Sequence, residues 1–445
     1  METEKLNGDF FGKEKISKLL FKLAPPVMLA QLIQALYNIV DSYFVGRNSE
    51  SGLTALSIVY PLQLLMIAIA TGTGVGINTV MSARNGVKNY KEARRFAGMG
   101  TPLAIGLWFV FAVICFFLMP TYAKMSTDSE EVIADVISYG RIVCLFSLGL
   151  FLESGWTKIC QAEGDMKTPM LAQIIGAVVN IILDPVLIFK FELGISGAAI
   201  ATVIGQSVAA LVVAKKGIYK SPKLFEYIKY IPPIFKLGLP NMLMQSAYTF
   251  YIFGLNIILS GFCDQAVTAL GLYYKWQTFF IIPLSAMQTC IVPIISFNYA
   301  TKSLKRCKKI LSSSIIFGVG LTLIATFCFC IIPEPMLRVF SSDELVIEIG
   351  KVGFRYVGVA FIPMVVSLIF PVFFQAVGKI GTSSFLTVIR TVFLFVPLGY
   401  IFSRFGLNLF WMTYPLTEIM TSLAGYIYYR SFLNKYQSKT INSSR

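Results

Sequence analysis

FKLAPPVMLAQ (21–31) and FKLGLPNMLMQ (235–245) are identical at seven of eleven positions and lie 214 residues apart. The same offset relates TALSIVYPLQ from Thr54 to TALGLYYKWQ from Thr268, and QAEGDMKTP from Gln161 to QAVGKIGTS from Gln375. One register held over about 150 residues marks an internal duplication. The fold is therefore expected to be two copies of one unit.

Composition says what kind of unit. The 445 residues are 56% hydrophobic and 14% charged, where a soluble chain carries about 25% charge. The mean hydropathy is +0.70. Long apolar runs predict an all-α integral membrane protein with twelve spans, roughly 23–45, 53–83, 93–119, 132–157, 168–190, 194–214, 232–260, 266–297, 309–332, 348–376, 381–402 and 407–429. Six spans per copy is an even number, so both copies enter from one side and the repeat is parallel. The expected organisation is a cytoplasmic segment 1–22, an N-lobe 23–214, a linker 215–231, a C-lobe 232–430 and a cytoplasmic tail 431–445. The first apolar run is too long for a signal-peptide core, and it reads as the first span.

Lys and Arg set the orientation. The N-terminus, 84–95, 158–167, 215–236, 302–309, Lys379 and the C-terminus hold 28 basic residues, and the opposite set of loops holds six. Both termini are therefore expected in the cytoplasm. This asymmetry accounts for the formal charge of +15 without nucleic acid. The chain has no histidine, which leaves carboxylates as proton carriers. Eight cysteines without paired spacing read as reduced, buried thiols, and no catalytic constellation indicates an enzyme. Gly72, Gly74 and Gly76 resemble a dinucleotide fingerprint only loosely, and inside an apolar span they predict close helix packing.

Charges inside the spans carry the functional argument, since each costs about 2.5–3.5 kcal/mol at mid-bilayer without a partner or a wet cavity. The acids are Asp41, Glu153, Asp184 and Glu418, and the bases are Arg141, Lys275, Arg355 and Arg390. Lys275 and Glu418 fall at equal depth and are expected to form a neutralising pair. Asp41 and Asp184 also share a depth, with no first-half base level with them. Gln34, Tyr37, Asn38 and Asp41 form a helical stripe, as do Asn180 with Asp184, and Ala198 with Thr202 and Gln206. Tyr139 falls at the same level. These faces are expected to converge on a polar pocket that binds H⁺ or Na⁺. The offset maps Asp41 to Leu255 and Asp184 to Leu398, so the pocket belongs to the first half alone.

PPVMLAQLIQALYNIVDSYFVGR (25–47), GTGVGINTVMSARNG (72–86), QAEGDMKTP (161–169), NIILDPVLIF from Asn180 and ELGISGAAIAT from Glu192 resemble the multidrug and toxic compound extrusion (MATE) family, of the prokaryotic DinF-like or MepA-like type. The resemblance covers nearly the whole chain. It implies two six-helix lobes and an antiporter that exports drugs, often organic cations, in exchange for H⁺ or Na⁺. It places the cation site at Tyr139, Asp41, Asn180, Asp184 and Thr202 with the backbone of Ala198, with Na⁺ possible at Asp41, Asn180, Asp184 and Thr202. Pro26 matches a first-helix proline that permits bending. Gln34, Tyr37, Asn38, Met28, Met244, Tyr248, Phe279 and Met287 are candidate substrate contacts, methionine being soft enough to fit many shapes. No organic cofactor is expected. The expected partners are small molecules and the lipid bilayer, the expected state a monomer, and the expected location the bacterial inner membrane. A lipid-linked precursor flippase of the same architecture is the alternative. It would need a basic cavity, for which Lys275, Arg355 and Arg390 are available.

Overall fold

The computed structural model describes residues 10–442, so the outer ends of the expected cytoplasmic segments, 1–9 and 443–445, lie outside the described residues. Among the described residues all regular structure is helical. In chain order the helices are α1 (Phe10–Lys13), α2 (Ile16–Asn48), α3 (Glu50–Gly86), α4 (Tyr90–Gly98), α5 (Gly100–Ser126), α6 (Glu130–Leu145), α7 (Leu148–Ala162), α8 (Lys167–Pro185), α9 (Gly194–Gly217), α10 (Tyr227–Ser260), α11 (Asp264–Ala300), α12 (Leu304–Ile331), α13 (Pro333–Arg338), α14 (Glu344–Ala376), α15 (Ile380–Val388), α16 (Val396–Ser403), α17 (Leu407–Phe410) and α18 (Thr413–Asn442). The π-helical turns Val186–Lys190 and Ile389–Phe395 follow α8 and α15. Two compact units emerge: the described part of Met1–Gln245 with Ser296–Ser303, and Ser246–Ile295 with the described part of Leu304–Arg445.

The duplication is written into the turns. Lys88 and Lys302, 214 residues apart, both take the left-handed backbone region, at φ 58° and 59°. Each turn is closed the same way: Lys88 N–H donates to Asn85 O and Asn89 N–H to Arg84 O, while Lys302 N–H donates to Tyr299 O and Ser303 N–H to Asn298 O. Gly164 and Gly378 repeat this at φ 85° and 75°, ending α7 and α14. These are helix-terminating caps in which a left-handed residue lets two orphan carbonyls find donors.

Among the described residues ten helices are long and apolar enough to cross a membrane, and the bent pair α6–α7 makes an eleventh. The twelfth expected span, 407–429, is present as α17 and α18 but is less apolar. Thr413, Thr417, Glu418 and Thr421 on α18 are buried, so its polar face turns into the protein, while Ile419, Leu423 and Ile427 are exposed. The fourth expected span, 132–157, is not straight. α6 and α7 meet at 44°. The Leu145 carbonyl accepts from Trp108 Nε1 at 2.9 Å instead of from its own helix, and Ser147 Oγ donates to Cys144 O. A tertiary donor inserted in the ladder is a sufficient cause of a kink. α2 begins at Ile16 rather than near 23, because Leu19, Leu20 and Leu23 are buried.

Gly72 and Gly76 do serve packing. A Cβ on Gly76 would lie 2.1 Å from Ile234 O, and one on Gly72 would lie 2.2 Å from Met242 Cγ, so α3 and the first turns of α10 touch backbone to backbone. All eight cysteines are free. Five are buried as expected, while Cys263, Cys328 and Cys330 are only half-buried.

Candidate functional site

The first unit brings α2, α6, α8 and α9 around one polar cluster. α8 and α9 approach closely because Gly176 and Gly205 face each other, and a Cβ on either would meet the other's carbonyl oxygen at 2.7 Å. That contact sets Asn180 beside Gly205 and level with Thr202. Asp184 falls in the last turn of α8, followed by Pro185 and the π-helical turn, a distortion common at functional sites.

Asp41, Asp184, Asn180, Thr202, Tyr139 and Ala198 are all buried. Asn180 Nδ2 donates to Asp184 Oδ1 at 3.3 Å, and Gln63 Nε2 donates to Tyr139 Oη at 3.2 Å. α2 packs against α8, and α6 and α8 pack against α9. What distinguishes the cluster is what it lacks. Asp41 Oδ1, Asp184 Oδ2, Asn180 Oδ1, Thr202 Oγ1 and Gln206 Oε1 are buried without a hydrogen-bond partner among the described residues. Neither carboxylate has an ion-pair partner among the described residues. Buried acceptors are ordinarily satisfied, and two anions held out of water are costly. A proton or a small hard cation removes that cost, and oxygen ligands are the set such a cation takes. No cluster of three or more His, Cys, Asp or Glu that would suit a multivalent metal occurs among the described residues.

An open cavity adjoins this cluster, with about 540 Å³ of empty space counting its mouth. Asn180 and Thr202 belong to both. The other polar walls are Gln34, Tyr37, Glu153, Gln173 and Gln206. Glu153 accepts from Thr157 Oγ1 at 2.7 Å. Its place on this wall escapes a count of residues along the span, because the α6–α7 bend lies between Tyr139 and Glu153 and turns α7 onto a new course. The sequence signal was only an acid in an apolar run.

The candidate substrate contacts divide. Gln34 and Tyr37 line the cavity, whereas Asn38 is exposed and stands off its wall. Met28 and Met244 are half-buried in the first unit. In the second unit Phe279 is half-buried, and Tyr248 is exposed with its hydroxyl donating to Gln277 Oε1 at 3.4 Å. Met287 is fully buried, with its methyl end at Gly318. Pro26 sits with Pro25 inside the unbroken 33-residue α2.

The Lys275–Glu418 pair does not form. Glu418 is held instead by Arg390, with Nε to Oε2 at 3.0 Å and Nη2 to Oε1 at 2.5 Å. Lys275 is exposed, and its ammonium lies 5.2 Å from the Phe340 ring centroid. Equal depth says nothing about which helix face a side chain occupies, and α18 turns Glu418 toward the π-helical segment that carries Arg390.

Comparisons with known proteins agree with this architecture. The family model described as MatE matches twice, over residues 26–186 and 240–401, one match in each copy of the repeat. The multidrug export protein MepA of Staphylococcus aureus (strain MRSA252) is 23% identical over 427 residues, covering 93% of this chain and 94% of its own length. A MOP-superfamily transporter from Pyrococcus furiosus superimposes with a TM-score of 0.89 at 22% identity, over 98% of this chain and 99% of that one. A MATE crystal structure in a bent conformation gives a TM-score of 0.91 at 21% identity, over 99% and 100%. With matches that span most of both halves, the chain belongs to the MatE family.

Proposed function

We propose that this protein is a cation-coupled exporter of drug-like organic compounds, often cationic, working by alternating access between two lobes, 23–214 and 232–430. The observation that carries the reading is the pair of buried carboxylates, Asp41 and Asp184, each with an unpartnered oxygen, next to Asn180 and Thr202 at the wall of an open cavity. The named activity of MepA is consistent with it.

In this scheme H⁺ or Na⁺ enters from outside and neutralises the Asp41–Asp184 pair, with Asn180, Thr202, Tyr139 and the Ala198 backbone completing its surroundings. Loss of the charge removes the reason for the cluster to stay hydrated. α2 then bends at Pro26, where two successive prolines withhold two N–H groups from the ladder and lower the cost of bending. The cavity walls Gln34 and Tyr37 move with α2, and substrate is expelled. One inward charge supplies about 2.3 kcal/mol per 100 mV, which sustains roughly a 40-fold gradient of a neutral substrate. Termini in the cytoplasm, a monomeric state and the bacterial inner membrane complete the proposal. The flippase alternative is weakened because Arg390, one of its three bases, is already bound by Glu418.

The test is ethidium efflux from intact cells, with and without a protonophore and with Na⁺ varied. Expression should lower retained dye, collapse of the ion gradient should abolish the effect, and Asp41→Asn should match the empty vector. Equal retention by wild type and Asp41→Asn would overturn the reading.

A further inference from the structure

Arg390 opens a question that the Asp41–Asp184 pocket does not answer. The register that aligns Gln161 with Gln375 runs without a break to pair Gly176 with Arg390, and it pairs Glu153 with Ser367. Gly176 and Glu153 are both walls of the first unit's cavity. In the second unit their counterparts converge on one carboxylate. Arg390 grips both oxygens of Glu418, and Ser367 Oγ donates to Oε2 as well. The guanidinium also lies 5.1 Å from the Phe395 ring centroid. Arg390 is 7% exposed and Glu418 1%.

Such a pair is a poor device for stability, since the desolvation of two charges usually cancels their attraction and apolar replacements do as well or better. Its position suggests another use. Where the first unit has Gly176, packed against Gly205 at the cavity wall, the second unit has a long side chain ending in a cation.

We propose that Arg390 is a tethered cation that fills the second unit's counterpart of the first unit's cavity, and that Glu418, Ser367 and the Phe395 ring form a cation site whose ligand class is guanidinium and small monovalent cations. The site is permanently occupied by the chain itself. Where the reading of Asp41 and Asp184 as the coupling pair holds, this leaves the second unit silent toward free ions and confines coupling to the first.

The first arm of the test needs no transport. Purified full-length Arg390→Ala should melt below wild type, and low-millimolar guanidinium chloride should raise its Tm by about 2 °C or more. Wild type and the Arg390→Ala/Glu418→Gln double variant should show no rise. Equal responses of the single and double variants, or none in either, would overturn the site. The second arm covers a variant that does not fold. Arg390→Met/Glu418→Gln removes both charges and should keep ion-dependent efflux within about twofold of wild type. A folded double variant that has lost ion dependence tenfold would show that the pair takes part in coupling. If Asp41→Asn leaves efflux unchanged, the coupling scheme falls, while the guanidinium arm still decides the site.

Discussion

Tyr37 and Tyr251 occupy the same place in the two copies of the repeat, and their surroundings are opposite. Tyr37 lines an open cavity beside Glu153 and Asn180. Tyr251 is buried, stacked on Phe395 at 4.5 Å and edge-on to Tyr248 at 5.3 Å. Leu255, the counterpart of Asp41, is buried in the same apolar cluster. The first unit thus keeps two carboxylates that each have an unpartnered oxygen next to empty space, whereas the second packs aromatic rings and satisfies buried Glu418 with its own arginine. The lesson is that duplication preserves the turns, which hold the helices in register, and leaves the enclosed faces free to diverge. A site that must gain and lose an ion needs unsatisfied acidic oxygens, and among the described residues Asp41 and Asp184 of the first unit supply them while Glu418 of the second does not.

The largest expected effect tests whether the two carboxylates of the first unit act as one. Asp41→Asn and Asp184→Asn should each lower ion-driven ethidium efflux at least tenfold, and the double variant should be no worse than the more damaged single, since members of one functional unit are strongly non-additive. Initial efflux rates in proteoliposomes with an imposed pH or Na⁺ gradient measure this. Additive losses would mean two independent sites and would blunt the contrast between the units.

A second comparison sets Met287 against Thr73, its repeat counterpart. Met287 is fully buried against Gly318, while Thr73 is nearly as buried but keeps its hydroxyl on Ile69 O. Met287→Ala should cost about 2–5 kcal/mol as a core truncation, read as a fall in Tm, with the range of exported dyes unchanged. Met28→Ala, at a half-buried position, should do the reverse: little loss of Tm and a changed dye preference. A changed dye preference in the Met287 variant would place that residue on the substrate path.

Third, Gly176→Ala should destabilise by about 1–3 kcal/mol, because its new methyl would sit 2.7 Å from the Gly205 carbonyl and force α8 from α9. Thermal denaturation of the purified variant checks this. The equivalent position in the second unit already carries an arginine, so tolerance of alanine at Gly176 would mean that the two enclosed faces differ less than the packing indicates.

Much of this was legible because charge stands out in an apolar chain. Asp41, Asn180 and Asp184 are conspicuous by composition, and helical spacing alone puts Asn180 on the face of Asp184. The repeat was legible because its turns are built from short sequences with fixed backbone demands. The α6–α7 break was not, since neither Phe146 nor Ser147 is a helix breaker and the cause is a tryptophan some 37 residues earlier. The Arg390–Glu418 pair was missed for a related reason. Depth along a span does not say which helix face a side chain occupies, so equal depth selected Lys275, which is exposed, whereas Glu418 faces the π-helical turn that carries Arg390.

The smallest expected effect lies outside the membrane and is again a difference between the copies. Asp165, in the turn between α7 and α8, pairs with Lys216 at 2.7 Å and accepts from the Thr168 N–H and hydroxyl. Partial burial pushes its carboxyl up, but the Lys216 and Thr168 hydrogen bonds outweigh it and hold the group below its ordinary value. Its contribution is therefore in place above the unfolded-state value of about 3.9 and is lost as the pH falls through the lower folded-state value. The matching position in the second copy is Lys379, and the partner position is Arg430, so no such clasp is available there. Asp165→Asn should cost no more than about 1 kcal/mol at neutral pH, because Lys216 is largely exposed. The difference in Tm between wild type and variant should shrink as the pH is lowered below about 4. A difference independent of pH would assign the turn's stability to the Thr168 cap instead of the charge pair.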